Sequence, residues 1–92
     1  MLARARASRS RAILHLMDLL ARITHDPSVM GGRPCIRGLR VTVGTVVGLL
    51  ASGKTVEQVL VAYPYLDQDD VRAALSYAAW RTEEVDVPLG DR

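Results

Sequence analysis

A single cysteine, Cys35, is all the chain contains, which excludes a disulfide framework and a thiolate metal cluster. Set in an apolar run, it reads as a small buried hydrophobe. Histidine is almost as scarce. His15 and His25 are the only two, and neither has a metal-ligand or triad partner at a meaningful spacing. His25 beside Asp26 reads as a local turn contact. Gly31-Gly32-Arg33-Pro34 lacks the length and the Lys-Ser/Thr of a phosphate loop, so its glycines are assigned to turn geometry. The sequence therefore offers no catalytic residue, no metal ligand set and no cofactor motif, and it reads as a binding module and not an enzyme. No apolar stretch approaches the ~20 residues that span a bilayer, so no membrane is expected. The opening residues are basic and then apolar but lack a clear small-residue cleavage site, which makes the cytoplasm the expected compartment.

What is present fits one small domain: 92 residues, 49% hydrophobic and 24% charged. Arginine outnumbers lysine eleven to one. The formal charge of +2 hides an asymmetry between the halves. Residues 1–40 hold eight arginines against Asp18 and Asp26, a balance of +6, whereas residues 41–92 hold four basic and eight acidic residues, a balance of −4. Such a division suits nucleic acid at one end and a different partner at the other. Residues 1–12 are mostly Arg, Ala and Ser and bury too little to offset ordering entropy, so they are expected to form a disordered basic arm. Met17 is a second candidate start, which would remove residues 1–16.

Residues 13–80 carry the ordered pattern. Ile13, Leu16, Met17 and Leu20 fall on one face of a short helix. Pro34–Arg37 and Arg40–Thr42 are predicted to pair as a hairpin through a type II′ turn at Gly38-Leu39, with Ile36 and Val41 inward and Arg37 and Arg40 outward. Three helices follow. Thr42 caps the first, whose stripe is Val43, Val46, Val47 and Leu50, with Gly53 just past its end. Thr55 and Gln58 form a capping box for the second, which carries Val56, Val59, Leu60 and Tyr63 and stops at Pro64. Asp67 caps the third, Leu66 staples onto Val71, and Val71, Ala74, Leu75 and Ala78 form its buried face. Asp67, Asp69 and Asp70 suit the positive end of its dipole. Residues 81–92 are polar and read as a flexible tail.

From Arg22-Ile23-Thr24-His25-Asp26-Pro27 through Gly31–Val43, and again at Gly53, Thr55–Leu60, Tyr63–Leu66 and Asp70–Ala78, the chain closely resembles the domain of unknown function 433 family. The resemblance covers roughly two thirds of the chain and departs at Leu39 and Thr42, where Thr and Pro are common. It implies a mainly α fold: a homeodomain-like tri-helical helix-turn-helix preceded by a small β-hairpin. It also implies the antitoxin half of a Vap-type toxin–antitoxin pair, whose usual neighbour is a PIN-like ribonuclease.

In a helix-turn-helix the start of the second helix enters the major groove, where Asp67, Asp69 and Asp70 would meet phosphates of like charge. Only Arg72 and Ser76 remain there as readers, with Tyr77 a further candidate. Arg33, Arg37 and Arg40 of the hairpin are the expected phosphate contacts, joined by Arg4, Arg6, Arg9 and Arg11 of the arm. They serve equally as a charged hairpin edge that discourages strand pairing. For a protein partner the candidates are Tyr63, Tyr65 and Trp80 as anchors, with core packing the commoner fate of such residues, and the segment Glu83, Glu84, Val85 and Val87, which suits a basic nuclease groove or is an ordinary frayed end. The expected function is an antitoxin-like protein that neutralises a PIN-like ribonuclease toxin and represses its own operon at operator DNA, as a homodimer paired through the hairpin. A stand-alone DNA-binding regulator and a dimeric adaptor are the alternatives.

Overall fold

A computed structural model describes residue 11 and residues 13–84. The predicted basic arm 1–12, Arg11 apart, lies outside those residues. Helix α1 covers residues 13–20. Strand β1 (Ile23–Thr24) pairs antiparallel with β2 (Cys35–Ile36), in the register Ile23 to Ile36 and Thr24 to Cys35. A short 3-10 turn, Met30–Gly32, lies between them. Helices α2 (Val43–Ala51), α3 (Val56–Ala62) and α4 (Gln68–Glu84) complete the chain, so the fold is mainly α with a small β-hairpin.

The helix ends follow from local chemistry. The Thr42 hydroxyl accepts from the Thr45 amide at 3.0 Å and starts α2. At its other end, Gly53 adopts φ +103°, while the Gly53 and Lys54 amides donate to the Leu50 and Leu49 carbonyls. That is a Schellman close, and it needs the left-handed residue that glycine supplies without strain. Thr55 and Gln58 exchange hydrogen bonds of 3.1 and 2.9 Å in the expected capping box. Helix α3 ends at Ala62, two residues before Pro64.

Ile36, Val41, Val46, Val59 and Val71 are the most deeply buried large apolar side chains, and Leu19, Ile23, Val43, Leu66, Ala73 and Ala74 complete one core. Every element except the 3-10 turn contributes to it. Leu66 and Val71 are both buried, as a staple across the start of α4 requires.

Five sequence expectations are corrected. The principal strand pair joins Cys35–Ile36 to Ile23–Thr24, not to Arg40–Thr42, because two upstream residues offer a full pairing edge. The expected partner keeps a single bridge, Cys35 to Thr42, and a bond from the Ile36 amide to the Val41 carbonyl at 3.0 Å. The turn is centred on Arg37-Gly38, both with positive φ (45° and 71°), the signature of a type I′ turn. On α1 the buried residue is Leu19, and Ile13, Leu16 and Met17 are exposed. On α4 Ala73 is buried and Leu75 is exposed, because the buried face is rotated toward Asp70. Helix α4 also runs on through Glu84, past the predicted boundary at residue 80.

Candidate functional site

The first turn of α4 holds a fully buried carboxylate, Asp70. Its presence there starts with a reciprocal cap: Asp67 Oδ1 accepts from the Asp70 amide at 2.8 Å, and Asp70 Oδ2 accepts from the Asp67 amide at 3.0 Å. Two arginines then close over it. Arg37 donates Nε to Oδ1 at 2.9 Å and Nη2 to Oδ2 at 2.8 Å, a two-point fork. Arg22 donates Nη1 to Oδ1 at 2.8 Å and also reaches Asp67 Oδ1 at 3.0 Å. The backbone brings the two cations together, since the Arg37 amide donates to the Arg22 carbonyl at 2.7 Å. The positive-φ turn aims Arg37 across the domain, where Nη2 also caps the Tyr65 carbonyl at 2.9 Å.

Burial alone would raise the pKa of Asp70, but the Arg37 fork, the Asp67 amide and Arg22 outweigh it and bring it down to about 2. The same bonds raise both arginines above their ordinary value. The acidic start of the second helix of the helix-turn-helix is therefore largely neutralised from within. Such a cluster fixes the start of α4 against the hairpin.

The predicted site residues divide accordingly. Arg37 is committed to Asp70 and to the Tyr65 carbonyl, so although its side chain is 41% exposed it is already paired, unlike Arg33 and Arg40. Arg33 and Arg40 are exposed and make no ion pair among the described residues. Arg33 also lines an open groove of about 410 Å³ with Pro34, Thr42, Gly44 and Thr45 at the start of α2. Arg72 is exposed on α4 and only loosely paired with Asp69, at 3.8 Å. Ser76 is half-buried one turn further on.

On the outer side of α4, Leu75 and Trp80 are each 44% exposed, with Ala79 exposed between them and Glu83 exposed toward the end. Tyr65, on the turn before the helix, is half exposed and packs edge-on to Tyr63. Glu84 ends the helix, and Val85 and Val87 lie outside the described residues.

Two contacts went unforeseen. His25 does not engage Asp26; its Nε2 lies 2.9 Å from the Tyr77 hydroxyl, and Tyr77 stacks obliquely on Trp80. Asp26 instead accepts from the amide and hydroxyl of Ser28, which lowers its pKa. The ion cluster was missed because capping already accounts for acids at 67–70. The only signal pointing to it is an Asp at the third position of a helix, in phase with buried Ala73 and Ala74.

Comparison with known proteins gives a consistent outcome. The family model described as "Protein of unknown function (DUF433)" matches residues 23–78. Uncharacterized protein y4eO of Sinorhizobium fredii (strain NBRC 101917 / NGR234) is 43% identical over 56 residues, which is 61% of this chain and 25% of that protein. The chain thus matches only about a quarter of the length of that curated relative. The crystal structure of a DUF433 member from Anabaena variabilis ATCC 29413 superimposes with a TM-score of 0.65 at 31% identity, over 84% of this chain and 76% of that one.

Proposed function

The chain belongs to the DUF433 family, and we propose that it is an antitoxin-like binding protein that neutralises a PIN-like ribonuclease in the cytoplasm. The observation that carries this reading is the outer face of α4. Leu75 and Trp80 stand exposed there, close to the acidic residue Glu83, while Tyr65 flanks the helix start. Aromatic and aliphatic anchors with Glu83 and Arg72 beside them suit a partner groove of apolar floor and mixed charge. The ribonuclease itself comes from the family resemblance. In this reading the protein performs no chemistry; it occludes.

The test is co-expression with a PIN-like nuclease encoded beside it, followed by co-purification and an RNA-cleavage assay. A stoichiometric complex with suppressed cleavage is expected, and Trp80→Ala should weaken it by about tenfold or more. Failure of an adjacent nuclease to bind, or full cleavage in the presence of excess protein, sinks the antitoxin reading.

A second reading, DNA binding at an operator, is favoured by Arg33 and Arg40, which stay exposed beside the start of α2. It predicts binding that falls steeply with salt and drops on Arg33→Ala or Arg40→Ala. Arg37→Ala would act mainly through stability, since that side chain holds Asp70.

A further inference from the structure

Helix α1 carries far more apolar surface than the domain uses. At about 100° per residue, Leu19, Leu16, Leu20, Ile13, Met17 and Leu14 follow one another around roughly 220° of its circumference. A surface helix needs a stripe of only about 100° to seat on its own core. Here Leu19 alone is fully buried, Leu20 is half-buried, and Ile13, Leu14 and Met17 are each more than half exposed. The remaining strip is polar: Arg11, His15 and Asp18.

We propose that this face is an interface for a second copy of the chain, with the two α1 helices packed antiparallel through Ile13, Leu14 and Met17. Charge placement selects both the partner and the direction. Arg11 and Asp18 are seven residues apart, two turns of helix, and lie on one flank bordering Leu14. Both are exposed. When the second α1 runs antiparallel, Arg11 of each copy comes opposite Asp18 of the other, giving two symmetry-related ion pairs. A symmetric parallel copy would place the two charged flanks on opposite sides of the contact and form neither pair. The hairpin is a poorer surface for self-association. Its strands are two residues long, and Cys35 is already flanked by Thr24 on one side and Thr42 on the other. The α1 segment of residues 13–20 is only about 12 Å long, too short for one of its faces to supply the roughly 800 Å² per partner of a tight interface. The dimer is accordingly weak, with micromolar dissociation.

Sedimentation equilibrium of the full chain, from about 1 to about 300 µM, tests this without any other protein present. A monomer–dimer equilibrium is expected in that window. Met17→Glu, an exposed position, should leave the circular dichroism spectrum unchanged and weaken dimerisation by about tenfold or more. Asp18→Arg should weaken it by about threefold, and the double exchange Arg11→Asp with Asp18→Arg should restore it. A dimer indifferent to Met17→Glu overturns the interface, and failure of the double exchange to restore it overturns the antiparallel register. A monomer at every concentration overturns the pair and leaves the face to an unlike protein. None of these outcomes depends on whether a nuclease binds α4.

Discussion

Asp70 concentrates much of the specificity of this fold in one side chain. It accepts four hydrogen bonds, from Arg22, from Arg37 twice and from the Asp67 amide, and has no exposed surface. Removing the charge leaves Arg37 without its carboxylate and Arg22 held by Asp67 and, at 3.8 Å, Asp69. Both arginines are partly exposed and can turn to water, so the cost falls below that of a fully buried pair. Asp70→Asn is expected to destabilise by about 2–3 kcal/mol, lowering Tm by roughly 10–20 °C in thermal melts. The pH dependence follows from the same bonds. The folded pKa of about 2 lies below the ordinary 3.8. The associated stability, about 2 kcal/mol, is therefore complete above roughly pH 4 and is lost as pH falls through about 2. Urea midpoints between pH 5 and pH 2 should drop more steeply for the native chain than for Asp70→Asn; parallel curves would show that the bonds do not shift the carboxyl.

Element ends carry smaller, local contributions. Gly53 at φ +103° has open space where a Cβ would stand, so Gly53→Ala meets only the backbone penalty and should cost about 1 kcal/mol. Thr55→Ala removes a capping box and should cost a similar amount, about 1 kcal/mol, in the same urea titration. These features were legible in the sequence because each is decided within four residues. Thr42, Thr55 with Gln58, Gly53 and Asp67 all act where their spacing placed them. What the sequence concealed was non-local. The partner of Cys35–Ile36 lies upstream at Ile23–Thr24, and two-residue strands carry too little alternation to announce a pairing. The α1 stripe was misplaced because an apolar arc of that width has no single inward direction. Leu75 was assigned inward on period alone, whereas the buried face of α4 follows the charged anchor at Asp70. Of the candidate site, the exposed positions of Arg33 and Arg40 were readable, whereas the sequence left Tyr65 and Trp80 open between core and interface, and the commitment of Arg37 to Asp70 was not readable.

Across the whole molecule, one core ties α2, α3, α4 and the hairpin together, while α1 joins it chiefly through Leu19. Local opening should follow that division. In hydrogen exchange at low protein concentration, amides of α1 are expected to exchange well before those of the α2–α4 core, which open only with global unfolding. Equal protection in both would mean that α1 is held by more than its core contact. No helix of the described residues is long and apolar enough to cross a membrane.

The Asp70 cluster also bears on time. Its arginines sit 33 and 48 residues upstream, so the hairpin region and the start of α4 must both be in place before either arginine can bond to it. Contacts of that separation carry a large loop-closure cost, and we expect these to close after the transition state has been crossed. Asp70→Asn should then leave the refolding rate nearly unchanged and accelerate unfolding, so that the clamp sets how long a folded molecule survives and not how quickly one is made.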